Sequence, residues 1–152
     1  MGPDATIAEV RRHLAAPPER VFGAFADALL VSQWLSPAPE IELTVLRFDF
    51  RVGGAYRFAY AVPGGPVMHV NGVFRHIAPP SRLVFSWIIE PPDEHAGIES
   101  EVTATITPHD GGAELFIRHE KLGRVDAIER HAQGWQGAFD RLTVLLAEGS
   151  HG

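Results

Sequence analysis

Apolar and polar residues alternate in several short segments of the chain, and turn residues separate these segments. In one of them Tyr56, Phe58 and Tyr60 alternate with small or charged residues, a period of two that predicts a half-buried strand. The same pattern predicts seven strands, which span residues 7–14, 40–50, 55–60, 67–77, 83–89, 98–107 and 113–120. Most connections between them are tight turns rich in glycine or proline, so we expect a meandering antiparallel sheet.

Two short helices are predicted between the first and second strands. The sequence P-P-E at 17–19 suits a first helical turn, because proline is tolerated there and acidic residues are favoured. Asp27 is a suitable N-terminal cap for a second helix that runs through Trp34. This helix should end near Ser36, since Pro37 disfavours helical geometry in the residue before it.

A stripe of apolar residues near the C-terminus predicts a third, much longer helix. The stripe follows steps of three and four residues and consists of Ile128, His131, Ala132, Trp135, Ala138, Phe139, Leu142, Leu145 and Leu146. A helix with so wide an apolar stripe needs a large partner surface, which only the apolar face of the sheet offers.

Two glycines interrupt this helix, and each costs about 0.5–1 kcal/mol relative to alanine in a helix interior. Gly134 falls at the flank of the stripe, where we expect it to allow the close approach of a strand or a small bend. Gly137 falls nearly opposite the stripe, and the pattern assigns it no role.

These elements together predict an α+β fold. A curved antiparallel sheet of about six or seven strands should wrap around the long C-terminal helix, with the two short helices placed after strand one. The length of 152 residues suits one domain. We therefore expect a single domain over residues 1–152, with its core between residues 6 and 147.

Composition and charge exclude several classes of protein. The net charge of −6 and the lack of a Lys/Arg run argue against nucleic-acid binding. The chain has no cysteine, which excludes disulfides and thiolate chemistry and fits a reducing compartment, so we expect a cytoplasmic protein. No apolar run is long enough to cross a membrane. The eight histidines show no metal-ligand spacing, and we expect neither a metal nor another cofactor.

Several short motifs spread along the chain resemble one known superfamily. They are A-P-P-E-R-V-F at 16–22, Q-W-L at 33–35 followed by Pro37, D-F-R-V-G-G at 49–54, P-P-S-R-L-V-F-S-W at 79–87, and Gly134 with Trp135. Together they resemble the START-like, or SRPBCC, superfamily, and within it the group named after the C-terminal domain of the activator of heat-shock protein 90 ATPase. The resemblance implies a helix-grip fold, as in birch-pollen-allergen-like proteins, with a hollow between the last helix and the sheet for an apolar or aromatic molecule.

The residues themselves supply the lining that such a hollow needs. If the strands alternate as predicted, the inward face carries aromatic side chains from several strands and directs them toward Trp135 and Phe139 of the last helix. The predicted ligand-binding residues are Trp34, Phe50, Phe58, Tyr60, Phe85, Trp87, His119, His131, Trp135 and Phe139. A fully packed core made of the same residues is the alternative interpretation.

Three functions remain open from the sequence. The first is non-catalytic binding of an apolar or aromatic small molecule, with no catalytic residues. The second, implied by the resemblance, is an interaction with a heat-shock protein 90-type chaperone that stimulates its ATPase. The third is a polyketide cyclase/dehydrase-like enzyme in which His119 and His131 act as an acid/base pair. No motif fixes the oligomeric state, and we expect a monomer or a homodimer.

Overall fold

A seven-stranded antiparallel sheet packs against one long helix in the computed structural model, which describes residues 6–149. The strands are β1 (Ala8–Leu14), β2 (Glu42–Phe48), β3 (Ala55–Ala61), β4 (Val67–Ala78), β5 (Arg82–Ile89), β6 (Glu99–His109) and β7 (Gly112–Glu120). The helices are α1 (Pro18–Ala26), α2 (Ala28–Trp34) and α3 (Val125–Gly149). The α+β arrangement predicted from the sequence is therefore confirmed.

The order of the strands across the sheet is β1-β7-β6-β5-β4-β3-β2. Strands β2 to β7 each pair with their neighbours in the chain, which confirms the predicted meander. Only β1 pairs with a strand that is remote in sequence, and its Val10 lies opposite Ile117 of β7. The first strand of the chain therefore forms one edge of the sheet, next to the last strand, β7.

The two short helices form as the capping residues predicted. The carboxylate of Asp27 accepts hydrogen bonds from the backbone N–H groups of Leu29 and Leu30 at 2.8 and 3.2 Å, so it satisfies two donors that a helix start leaves free. The second helix ends at Trp34, three residues before Pro37.

Helix α3 buries the predicted stripe against the sheet. From Trp135 onward, its buried side chains are those of Trp135, Ala138, Phe139, Leu142 and Leu146. They belong to one core with the inward side chains of the sheet and with α1 and α2. Within residues 6–149, no helix combines the length and the apolar character needed to span a bilayer.

In the sequence Leu46, Phe48 and Phe50 alternate with charged residues, which predicts that Leu46 lies on the inward face, and this prediction is wrong. Its side chain is 50 % exposed, whereas Leu43 is buried in its place. The cause is a bulge in β2, where the pairing with β3 shifts between Val45 and Arg47. An extra residue at a bulge reverses the alternation beyond it, so Phe48 still packs against the core although Leu46 does not.

The expectation for the two helix glycines also needs correction. A Cβ atom on Gly137 would lie 1.9 Å from the carbonyl oxygen of Pro37, a separation that no real structure tolerates. A Cβ atom on Gly134 would meet only the Pro37 side chain, at 3.8 Å. Gly137 is therefore the residue that permits close approach, and its neighbour is the loop after α2 rather than a strand.

The two glycines should respond in opposite ways to substitution by alanine. Gly137→Ala should lower the free energy of unfolding by about 2 kcal/mol or more, because the Pro37 backbone must move to make room. Gly134→Ala should be neutral or should stabilise the protein by up to about 1 kcal/mol through helix propensity. Urea unfolding followed by circular dichroism measures both, and equal effects of the two changes would contradict the close contact at Gly137.

Candidate functional site

Two of the ten predicted ligand-binding residues lie apart from the others. Trp34 donates its indole N–H to the carbonyl of Ala24 at 2.9 Å and packs edge-on against Phe25. Phe50 packs against the rings of Phe22 and Phe74. Trp34 thereby joins α2 to α1, and Phe50 joins α1 to the sheet. Neither ring contacts that of Trp135.

Three further predicted residues are core residues of the sheet. Phe85 packs against the rings of Tyr56 and Phe74. Tyr60 donates its hydroxyl hydrogen to the carbonyl of Leu35 at 3.1 Å, and its burial raises its pKa far above the usual range. Phe58 contacts the rings of both Tyr60 and Trp87, so it connects this part of the core to the remaining candidates.

The structure brings four of the predicted residues together, and we call Trp87, His119, His131 and Trp135 the Trp/His cluster. The rings of His119 and His131 meet edge to face with centroids 4.7 Å apart. Those of Trp87 and Trp135 lie 6.2 Å apart. Phe139 extends the cluster along α3 through its contact with Trp135. The cluster lies where β5, β6 and β7 face the first half of α3.

His119 is fully buried and both of its ring nitrogens are bonded. The indole N–H of Trp135 donates to Nδ1 at 3.1 Å, so in the neutral ring the proton is on Nε2. Nε2 then donates to the hydroxyl of Ser100 at 2.7 Å, and that hydroxyl donates to the carbonyl of Trp87 at 2.8 Å. Burial, with a smaller contribution from His131, holds the pKa of His119 well below its usual value, so the ring is neutral at pH 7.

His131 differs from His119 because one ring nitrogen remains available. Its Nδ1 lies 2.8 Å from the carbonyl of Ala127, one turn earlier in α3, and must carry a proton to bond there. Burial lowers the pKa of His131, so the ring is neutral at pH 7 and its Nε2 presents a lone pair. The side chain can therefore accept a hydrogen bond from a neighbouring group.

The connection between β5 and β6 closes this end of the sheet–helix interface, and we call residues 91–98 the covering segment. Two ion-pair bonds of 2.9 Å join Asp93 to the guanidinium of Arg130 in α3. Arg124 donates to the backbone carbonyl of Glu94 at 2.9 Å. The covering segment buries the imidazole of His95, which is 4 % exposed, beside the Trp/His cluster.

A small space remains beneath the covering segment. Its volume is about 10 Å³, which suits one water-sized group. The lining residues are Trp87, Ile89, His95, Ile98, Ser100, Leu122, Ala127 and His131. Among the described residues, Nε1 of Trp87 and Nδ1 of His95 are buried and have no hydrogen-bond partner. Buried polar atoms are nearly always bonded, so a polar group is expected in this space.

A larger groove lies on the opposite side of α3, where the loop after α2 meets it. The groove has a volume of about 540 Å³, and Pro37, Gly137 and Arg141 contribute to its lining. None of the ten predicted residues lines it. Arg141 bonds to the hydroxyl of Ser36, so its guanidinium is already part of the packing between α3 and the loop.

Sequence reasoning missed four residues of the site, namely Asp93, His95, Ser100 and Arg130. One of them carries a recognisable signal, because Ser100 is a polar residue in an inward series that continues with Val102 and Ala104. Alternation alone finds such a residue once the strand is assigned. His95 and Asp93 lie in a polar connection without periodicity, so their burial depends on the folded chain.

A long helix held against one face of a curved antiparallel sheet, with two short helices after the first strand, defines a helix-grip fold of the START-like superfamily. A family model described as "Activator of Hsp90 ATPase homolog 1-like protein" matches residues 15–147. The chain belongs to this family, which confirms the resemblance seen in the sequence motifs.

Solved structures with the same fold include three bacterial proteins. One from Chromobacterium violaceum has 32 % identity, covers 91 % of this chain and 96 % of its own, and gives a TM-score of 0.79. One from Rhodobacter sphaeroides has 29 % identity, 97 % coverage of both chains and a TM-score of 0.80. The AHSA1 protein of Silicibacter pomeroyi has 26 % identity, covers 94 % and 99 %, and gives a TM-score of 0.83. A search of curated proteins found no significant match.

The ion pair between Asp93 and Arg130 should make stability depend on acid pH. Bonding to Arg130 lowers the pKa of Asp93 to about 2, so the pair stabilises the fold above pH 4 and loses its effect as pH falls toward 2. Asp93→Asn should cost about 1 kcal/mol at pH 7, and its difference from wild type should shrink over that pH range. Thermal unfolding between pH 2 and 7 measures this.

The exposed pair of Arg51 with Asp49 supplies the matched control. Asp49→Asn should change the free energy of unfolding by less than about 1 kcal/mol at pH 7, because solvent screens an exposed pair. A difference between Asp93→Asn and wild type that stays constant from pH 7 to pH 2 would contradict the role assigned to the Asp93 carboxylate.

Proposed function

We propose that this protein binds an apolar or aromatic small molecule at the Trp/His cluster and does not transform it chemically. The observation that supports the proposal is the pair of buried, unpartnered nitrogens, Trp87 Nε1 and His95 Nδ1, beside one small space. The proposed site lies between the sheet and α3, in the half of the interface that the covering segment closes.

An apolar molecule suits the lining of this site. The side chains around the space other than those of the cluster are mostly aliphatic and include Ile89 of β5, Ile98 of the covering segment and Leu122. The indole ring of Trp87, which lines the space, offers a flat surface against which an aromatic body packs. Small-molecule sites combine such apolar walls with a few polar groups that fix orientation.

Binding requires the covering segment to move. The space of about 10 Å³ is far smaller than the roughly 300–1,000 Å³ of typical ligand sites. The segment is held to α3 through Asp93 and Arg130 and buries the ring of His95. We propose that a ligand takes the position of the His95 ring when these contacts open.

The hydrogen bonds of the cluster favour binding over catalysis. His119 has no nitrogen left for a substrate, and its pKa is held well below neutrality. His131 keeps one acceptor nitrogen. His119 cannot serve as its proton-exchange partner, because both nitrogens of His119 are already hydrogen-bonded. An acid/base mechanism of the polyketide cyclase kind needs two such groups within reach of the substrate.

The chaperone-activator role has support of a different kind. The family's description names an activator of Hsp90 ATPase, and the shared fold covers nearly the whole chain. This partner stays a prediction, as do the oligomeric state and the cytoplasmic location. Stimulation of the ATPase of a cognate chaperone at saturating protein would support the alternative.

A neutral fluorescent probe, N-phenyl-1-naphthylamine, tests the binding proposal. The wild-type protein should bind it saturably and gain thermal stability in proportion to occupancy. Trp87→Ala should weaken binding by at least about tenfold, since it removes one aromatic wall. Phe116→Ala, which truncates an aromatic residue contacted by Arg11 outside the core, should change binding by less than about twofold.

Native mass spectrometry of freshly purified protein is the second measurement. A co-purified compound of low mass that is lost from Trp87→Ala and retained by Phe116→Ala would support the proposal. Absence of saturable probe binding, together with absence of any co-purified compound, would refute it.

A further inference from the structure

The Trp/His cluster offers a specific set of unused polar atoms to a ligand. Trp87 contributes one N–H donor that has no acceptor among the described residues. His131 contributes one acceptor, Nε2, because its other nitrogen is bonded to the carbonyl of Ala127. His119 contributes nothing further, since Trp135 and Ser100 occupy both of its ring nitrogens, and the hydroxyl hydrogen of Ser100 is already donated to the carbonyl of Trp87.

The space that Trp87 and His131 both line holds about one oxygen-sized group, with a volume of about 10 Å³. A group placed there must accept a hydrogen bond from an indole and donate one to a neutral imidazole. A hydroxyl does both with a single oxygen atom. A ketone or an ether only accepts, and it leaves the lone pair of His131 without a donor.

We propose that the ligand of this site carries a neutral hydroxyl group on its apolar or aromatic body, with Trp87 Nε1 donating to the hydroxyl oxygen and the hydroxyl hydrogen donating to His131 Nε2. This inference rests on the proposed small-molecule function and names the class of molecule: a phenol or an alcohol. The apolar body of the ligand takes the place of the His95 ring, which moves away together with the covering segment.

Charged ligands do not fit the same atoms. The residues that line the space include no lysine or arginine, so a carboxylate buried there would find no cation among the lining residues to offset its desolvation. A carboxylate would also point an oxygen lone pair at the lone pair of His131. An ammonium group would meet the indole N–H of Trp87 as a second donor, and neither charge is therefore accommodated.

Four naphthalene derivatives separate these possibilities on the intact protein. They are 2-naphthol, which donates and accepts, 2-methoxynaphthalene, which only accepts, naphthalene, which does neither, and 2-naphthoate, which is anionic. Wild type should bind 2-naphthol about tenfold more tightly than naphthalene, which leaves the buried donor of Trp87 unpaired, and more tightly than 2-methoxynaphthalene, which gives His131 no donor. Its affinity for 2-naphthoate should be lower still.

Two conservative variants assign the two hydrogen bonds. Trp87→Phe keeps an aromatic ring but removes the N–H, and it should reduce the preference for 2-naphthol over naphthalene to about twofold. His131→Phe removes the acceptor and should equalise 2-naphthol and 2-methoxynaphthalene. Tyr56→Phe is the control, because it removes a buried hydroxyl that bonds to the carbonyl of Ser86 outside the cluster, and the wild-type preference should remain.

The indole resonances of the wild-type protein provide a readout that does not depend on variants. The chain has three tryptophans, and the Trp87 signal is the one lost in Trp87→Phe. Its N–H proton should shift downfield on addition of 2-naphthol and not on addition of naphthalene.

The outcomes distinguish this inference from the function on which it rests. Equal affinity of wild type for the three neutral compounds, or an unchanged Trp87 N–H signal at saturating 2-naphthol, would overturn hydroxyl recognition and leave small-molecule binding in place. If the space holds only a bound water, the Trp87 N–H signal stays unchanged at saturating 2-naphthol. Lack of binding by all four compounds and by N-phenyl-1-naphthylamine would overturn both.

Discussion

The hydrogen bond from Trp135 to His119 is the contact that fixes the arrangement of the site. His119 is fully buried, and burial favours a neutral imidazole whose nitrogens are hydrogen-bonded. The indole of Trp135 satisfies one nitrogen, which determines the tautomer and so directs the other toward Ser100. Through this sequence of bonds α3 is joined to β7, β6 and the backbone of β5. The cluster next to it is thereby held in one geometry.

The two halves of α3 are held by different kinds of contact. At its middle, the backbone of Pro37 touches the helix at Gly137, a close-packed contact that leaves no freedom to shift. Toward its start, Arg130 bonds to Asp93 through side chains that solvent partly reaches. Partly exposed polar contacts open more readily than close-packed ones. The end of the sheet–helix interface where Trp87 and His131 each keep one nitrogen without a hydrogen-bond partner among residues 6–149 is therefore also the end whose contacts open more readily.

Most of the fold was predictable from the sequence, because alternation and helical spacing report directly on which side of an element is buried. The wrong predictions occur where a local sequence pattern is compatible with two different structures. The alternation in the sequence carries no mark of a bulge, although the bulge reverses which side chains face inward. For this reason the alternation assigns Leu46 to the wrong face. The role of Gly137 depends on Pro37, a residue 100 positions earlier, and no periodicity connects them. For the site, aromatic strands indicated Trp87 and Trp135, whereas His95 lies in a connection without any repeating pattern.

The pairing of β1 with β7 has a consequence for how the chain reaches its folded state. Arg11 and Glu114, whose side chains bond across this pair, are 103 residues apart in the sequence. During synthesis the first strand leaves the ribosome long before its partner exists, so β1 must wait as an unpaired amphipathic segment. Contacts between such distant residues slow folding, because the loop must close before the contact forms. The hairpins from β2 to β7 pair neighbours in the chain and can assemble first, so the pairing of β1 with β7 is the late event, and until it forms the edge of β7 is open to aggregation.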